Sequence, residues 1–396
     1  MMHAHAMTAN WHYPTEVFFE IDGFRHLPQR IQSLSAKRVL WVVDTFLESE
    51  PVVQDMLKAL QQASIAVSVF SAFSSNPNSD QVEAGRQAYL AHQADAVIAM
   101  GGGSALDIGK TIALVAEQSR SVWDFVDEDD NYLRADASRI RPIIAIPTTA
   151  GTGSEVGRAA LITNPLTHEK KIIFHPKMLP SAVLCDPSLT VTLPPGLTAA
   201  TGMDALAHNL EALCSPSYHP MADGIAMEGL RLICDYLPRA FENGHDLEAR
   251  SGMMTASLMG ATAFQSGLGA VHALSHPVGG LYDAHHGLLN AIFMPYVLYF
   301  NRPQVEQKMV RLARYLDLSA PTFEAVLAWV QALNQRLELP TTLTEIGIDH
   351  HQAAVIAERA MADPSASSNP RELTAFDCKQ LFLAAVSGEW QHLQSA

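Results

Sequence analysis

Along the first half of the chain, short apolar runs alternate with stretches whose apolar positions recur every three to four residues. RVLWVVD (38–44), IAVSVF (65–70), ADAVIAMGGGS (94–104) and PIIAIPTT (142–149) have the length and β-branched content of buried strands. Between them, VVQDMLKALQQA (52–63), SDQVEAGRQAYLAHQ (79–93) and the segment from Ala105 to about Glu117 carry helical spacing. This β-α-β-α-β rhythm predicts a mostly parallel sheet with helices on its faces. After DPSLTVTLPPG (186–196) the pattern changes. TAATGMDALAHNLEALC, GIAMEGLRLICDYLPRAFE and ARSGMMTASLMGATAF read as helices, several of them apolar most of the way round, as buried helices are. The proline-rich stretch at 187–195 is the expected boundary between an α/β domain, residues 1–190, and an all-helical domain, residues 191–396. No internal repeat is visible.

A length of 396 residues fits two domains, and 48% hydrophobic with 17% charged residues is an ordinary globular composition. The formal net charge of -15 argues against nucleic acid and anionic membrane surfaces as partners. The DEDD run at 127–130 reads as a solvated loop. Four cysteines, Cys185, Cys214, Cys234 and Cys378, form no CxxC pair, which points to a reducing compartment and away from a disulfide framework. The N-terminal MMHAHAMTANWHYP has no apolar signal-peptide core. The longest apolar run, LLNAIFMPYVLYF (288–300), is too short to span a bilayer and reads as a buried helix or helix pair. A soluble cytoplasmic protein is expected.

Two loops suit a nucleotide. In AVIAMGGGSALDIGK (96–110) a strand runs through Gly101-Gly102-Gly103-Ser104 into a helix. Glycines let backbone N–H groups approach a ligand, and a helix N-terminus favours a pyrophosphate. The stretch is neither GxGxxG nor a GxxxxGK[ST] phosphate loop, and a tight β-α turn without ligand has the same look. AIPTTAGTGSE (145–155) places Thr148, Thr149, Thr152 and Ser154 among glycines after a second strand, where ligands of open α/β sheets bind. Asp44 closes the first strand, and an acid there accepts from a ribose hydroxyl and repels a 2′-phosphate, favouring NAD(H) over NADP(H).

The 17 histidines become informative through spacing. Residues four apart share a helix face, so TGMDALAH (201–208) pairs Asp204 with His208, and VHALSHPVG (271–279) pairs His272 with His276. YDAHHGLLN (282–290) adds His285 and His286. Singly, each is read as easily as a packed core or surface histidine. Together, in an apolar helical domain, they suit a divalent transition metal, Fe2+ or Zn2+, rather than the oxygen-bound Mg2+ or Ca2+.

These motifs, with NPN (76–78), GGGSALDIGK (101–110), PTTAGTGSE (147–155), DPSLTVTLP (186–194), ATGMDALAHNLEA (200–212) and HHGLLNAIFMP (285–295), resemble the iron-containing, metal-dependent alcohol dehydrogenases over essentially the whole chain. The resemblance implies a Rossmann-like α/β domain that binds a nicotinamide cofactor and an all-α domain that holds the metal. It implies Asp204, His208, His272 and His286 as metal ligands, His286 rather than His285 because the family's ligand immediately precedes the glycine. It implies His276 as a histidine lining the cleft of substrate and nicotinamide; there we read it as catalytic, a proton relay, with structural support of the ligands as the alternative. It implies Asp44, Asn76, Gly102, Gly103, Ser104, Asp107, Thr148, Thr149, Thr152 and Lys171 as cofactor contacts. The activity implied is hydride transfer between NAD(H) and a small alcohol or aldehyde polarised by Fe2+, or by Zn2+, in a cleft between the domains of a homodimer. Zinc-dependent glycerol-dehydrogenase-like enzymes and dehydroquinate-synthase-like lyases are the alternatives on this architecture, the lyase disfavoured by the scarcity of basic residues in the motifs. FFEIDGFRHLP (18–28) lacks the glycine-rich turn of many members, and NPN stands where NPT is commoner.

Overall fold

The computed structural model describes residues 12–393. The N-terminal segment read for a leader therefore lies mostly outside the described residues. The chain divides into two compact units, one made of Tyr13–Thr149 and Gly153–Val191, the other of Ala150–Thr152 and the chain from Thr192 onward.

The first unit is built on a six-stranded sheet of β1 (Val17–Phe19), β2 (Arg38–Val43), β3 (Ala66–Phe70), β4 (Ala96–Gly101), β5 (Ile143–Pro147) and β8 (Ala182–Cys185). Their order is β1-β8-β5-β4-β2-β3 and every pairing is parallel. β4 and β5 are buried at every position, because helices cover both faces of a parallel sheet; this is why those strands are continuously apolar rather than alternating. A separate antiparallel pair, β6 (Ala159–Thr163) with β7 (Lys170–Phe174), follows β5. The sequence pattern did not resolve this pair or the short β1 and β8. The segment at 127–130 is exposed, as expected of a charged loop.

The second unit is helical, with no strand among its described residues. Its central helix, Pro195–Cys214, begins on a proline that presets the first turn. From Thr198 to Cys214 every residue of that helix except Thr201 is buried. Such burial explains the run of alanines, since small side chains let neighbouring helices approach from all sides. The apolar run at 288–300 lies within one continuous helix, His286–Tyr315, which carries Pro295 and Pro303 inside it. Among the described residues no helix is long and apolar enough to cross a membrane.

Candidate active site

In the α/β unit, the loops after β2, β4 and β5 converge. The backbone turns at Gly101 with φ +145, a conformation that only glycine adopts readily, and any Cβ there would also meet the Asp44 carboxylate at 2.2 Å. Gly102 caps the helix Gly103–Val115, and its N–H donates to Asp44 Oδ2 at 3.2 Å. Burial raises the pKa of the Asp44 carboxyl, an effect that the Gly102 N–H opposes. Thr148 N–H donates to Gly101 O at 3.0 Å, and the Thr149 side chain lies beside Gly102. Ser104 Oγ donates to the carbonyl of Ser75, bringing in the loop that carries Asn76. Asp44, Gly102, Gly103, Ser104, Thr148, Thr149 and the Asn76 loop thus gather at the carboxyl ends of the strands. Gly103 and Ser104 open a helix there, with free N–H groups suited to a pyrophosphate.

Asp107 is placed differently. Its Oδ1 accepts from Ser154 Oγ at 2.5 Å and its Oδ2 from Leu161 N–H at 2.9 Å. Both carboxylate oxygens are therefore engaged in tying the Gly103–Val115 helix to the threonine-glycine loop and β6. Lys110, one turn along and 1% exposed, reinforces this by donating to the carbonyls of Ser154, at 2.9 Å, and Ala159. Sequence reasoning missed Lys110. Lys171 sits on β7 with its ammonium 3.8 Å from both Glu128 and Glu169. Thr152 falls in the short segment that packs with the helical unit.

In that helical unit, three helices bring the titratable residues together. Asp204 and His208 lie one turn apart on Pro195–Cys214, His272 and His276 one turn apart on Ala270–Tyr282, and His286 opens His286–Tyr315. His208 Nε2 and His272 Nε2 each lie 3.8 Å from Asp204 Oδ1, and His286 Nε2 lies 3.5 Å from it. Ligand atoms of Asp204, His208 and His272 all fall within 4.8 Å of one another. Tetrahedral coordination with bonds of about 2.0–2.2 Å requires ligand separations of about 3.3–3.6 Å, so these residues need move little to hold one ion. His286 reaches Asp204 because its neighbour is glycine: a Cβ on Gly287 would sit 2.1 Å from the carbonyl oxygen of Ala200.

Two of the imidazoles are buried with Nδ1 against an oxygen. Burial pushes the pKa of both His208 and His272 down to about 4, so each stays neutral. His208 Nδ1 lies 3.3 Å from the carbonyl of Gly151 and His272 Nδ1 lies 2.5 Å from Glu211 Oε2. With the proton held on Nδ1 in each, the lone pair on Nε2 faces Asp204. Glu211 also accepts from Val271 N–H at 2.7 Å; burial pushes its carboxyl up to about 7. Asn290, fully buried, donates through Nδ2 to Asp204 Oδ1 at 2.8 Å and lies 3.2 Å from His286 Nε2 and 3.4 Å from His272 Nε2. The amide thus supplies a hydrogen-bond donor to the same carboxylate oxygen that the imidazoles face. Glu211 and Asn290 both escaped sequence reasoning: Glu211 lies three residues after His208 and Asn290 four after His286, so helical spacing sets each near a histidine of its own helix but does not report which side chains it meets on another.

A buried carboxylate ringed by imidazoles, in a chain that also carries a glycine-turn α/β unit, suits a metal-dependent oxidoreductase. Comparison with known proteins gives the particular family. Residues 14–187 match "Iron-containing alcohol dehydrogenase" and residues 198–386 match "Fe-containing alcohol dehydrogenase family, C-terminal". The chain is 37% identical to a 4-hydroxybutyrate dehydrogenase of Cupriavidus necator over 93% of its length and 98% of the relative's. It is 34% identical to an NAD-dependent methanol dehydrogenase of Bacillus methanolicus, covering 95% of this chain and 100% of that one. A solved 1,3-propanediol oxidoreductase superposes with a TM-score of 0.90 at 33% identity, covering 96% of this chain and 100% of the other. The protein belongs to the iron-containing alcohol dehydrogenase family and is an oxidoreductase acting on CH–OH donors.

Proposed function

We propose that this enzyme interconverts a small neutral primary alcohol and its aldehyde with NAD(H), using one Fe2+ held by Asp204, His208, His272 and His286. The observation that carries the reading is the buried convergence of these side chains, with Nε2 atoms 3.5–3.8 Å from a single carboxylate oxygen. A metal held by these residues would supply Lewis acidity to the substrate oxygen, and a bound nicotinamide would give or take the hydride. Asp204 contributes the one negative charge among the ligands, and Gly151 and Glu211 hold the tautomers of His208 and His272. His276 relays the proton between substrate and solvent.

The α/β domain, residues 1–190, binds the dinucleotide. Asp44, Asn76, Gly102, Gly103, Ser104, Thr148, Thr149, Thr152 and Lys171 serve as its contacts, and Asp107 holds the threonine-glycine loop through Ser154. The domain formed by residues 191–396 binds metal and substrate. Asp44 supports NAD(H) over NADP(H), since its carboxylate would face a 2′-phosphate with like charge. Relatives acting on methanol, 1,3-propanediol and 4-hydroxybutyrate support a short primary alcohol as substrate. The net charge of -15 offers no pull on anions, which favours a neutral one. A homodimer in the cytoplasm fits the family and the four free cysteines.

The test is anaerobic purification, metal analysis, and a screen of NAD+ and NADP+ against short alcohols, diols and hydroxy acids. The reading expects about one iron per chain and NAD+-dependent turnover of a short alcohol. A stoichiometric zinc content with polyol turnover would replace it with the glycerol-dehydrogenase-like alternative.

A further inference from the structure

His276 sits beside the metal ligands without being one of the four, and something must aim it. Its ring stacks on His286 with centroids 5.3 Å apart and planes 14° from parallel, and meets His272 edge-on at 5.7 Å. Those contacts restrain the ring plane. They do not decide which nitrogen carries the proton. One of the two nitrogens faces a residue 87 positions away: His276 Nδ1 lies 2.7 Å from Asp363 Oδ2, with the two side chains 9% and 12% exposed. Asp363 lies between the helix Ala353–Ala362 and the turn Pro364–Ser368, and its Oδ1 accepts from Ser365 N–H at 2.9 Å. The cap fixes the carboxylate. Among the described residues Asp363 forms no ion pair with a lysine or arginine, so its charge is directed at the imidazole.

We propose that Asp363 is the positioning residue for His276, holding the proton on Nδ1 so that the Nε2 lone pair faces the substrate. This rests on His276 being the proton relay. In alcohol oxidation the hydroxyl proton passes to Nε2, the O–H bond breaks as the Nε2–H bond forms, and the carbinol hydride leaves to NAD+. The imidazolium stands against the Asp363 carboxylate until Nε2 releases the proton to solvent. Reduction runs the same path backwards, with NADH as the hydride donor. A carboxylate that orients an imidazole and stabilises its charged form is a recurrent device of histidine acid-base catalysis.

The experiment is a double-mutant cycle on the metal-loaded enzyme. Asp363→Asn keeps an oxygen to cap Ser365, while its amide N–H can donate to Nδ1 and drive the proton onto Nε2, the wrong tautomer. His276→Ala removes the relay. General acid-base catalysis contributes about 10²–10⁴-fold, so His276→Ala should lower kcat by that order, with metal content and NADH affinity unchanged. Asp363→Asn should lower kcat at least about tenfold with little change in KM, and the double variant should be no slower than His276→Ala alone. Independent, multiplying losses would overturn the proposal, because a merely structural Asp363 would harm the His276→Ala enzyme too. So would a normal kcat in Asp363→Asn beside a slow His276→Ala. A normal kcat in His276→Ala would remove the relay itself, and the proposal with it. Should Asp363→Asn fail to fold, proton NMR of the zinc-loaded wild type decides. A downfield Nδ1–H resonance that vanishes in His276→Ala supports the hydrogen bond, and its absence overturns it.

Discussion

Above its pKa of about 7, where Glu211 is ionised, changing it to Gln removes one charge and leaves the shape of the site almost intact. Glu211 Oε2 lies 2.5 Å from His272 Nδ1, and its other oxygen is held by Val271 N–H at 2.7 Å, so the side chain has no freedom to avoid the imidazole. Hydrogen bonds to charged groups are worth about 1.5–3 kcal/mol and neutral ones about 0.5–1.5, so the substitution forfeits about 1–1.5 kcal/mol. If the amide nitrogen turns toward Nδ1 it also reverses the tautomer, withdrawing the Nε2 lone pair. Partners that orient metal-bound histidines typically govern 10–100-fold in metal affinity, or about 1.4–2.8 kcal/mol. We therefore expect Glu211→Gln to bind Fe2+ or Zn2+ at least about tenfold more weakly, measured anaerobically by competition with a chromophoric chelator. NADH affinity and helix content should not change. Equal metal affinity in variant and wild type would refute the reasoning, because it would mean that His272 needs no partner on Nδ1.

Three further outcomes follow from the same geometry. Asn290→Ala strips Asp204 of a donor that matters most when no cation is bound; it should destabilise the metal-free protein by about 1–3 kcal/mol and the loaded protein by less, with equal losses in paired thermal melts arguing against that role. Asp44→Ser should raise kcat/KM for NADP+ relative to NAD+ at least about tenfold; an unchanged ratio in steady-state assays would remove Asp44 as the discriminator. Chelation of the loaded enzyme should lower its melting temperature by about 5–10 °C, the shift expected when metal at a hundredfold its Kd is withdrawn from a domain this size. No shift on chelation, by calorimetry, would mean that the ion does not bind the folded state preferentially.

The features visible in the sequence were those that repeat locally. Asp204 with His208 and His272 with His276 announce themselves by their spacing of four, and the glycine turn by following a continuously apolar strand. The core strands were legible because burial on both faces demands unbroken runs such as AVIAM. β6 and β7 alternate weakly over five residues and contain Lys170 and Lys171, so nothing separated them from a loop. The supporting residues were hidden for another reason. Glu211 meets His272 across 61 positions and Asp363 meets His276 across 87, and the meeting depends on how helices pack, which periodicity within one helix does not report. Asp107 shows the converse: a motif position can lie beside the glycine turn and still have both its oxygens engaged by the neighbouring loop and strand.

Dependence of catalysis on a single ion held by Asp204, His208, His272 and His286 underlies the proposed function. Its most direct test is an anaerobic titration of metal-free enzyme with Fe2+ at saturating NAD+ and alcohol, with His208→Ala run in parallel. Wild-type turnover should rise from near zero and level off at one equivalent per chain, while His208→Ala should stay inactive and still bind NADH. Full turnover by the metal-free protein, or by His208→Ala without bound metal, would contradict it.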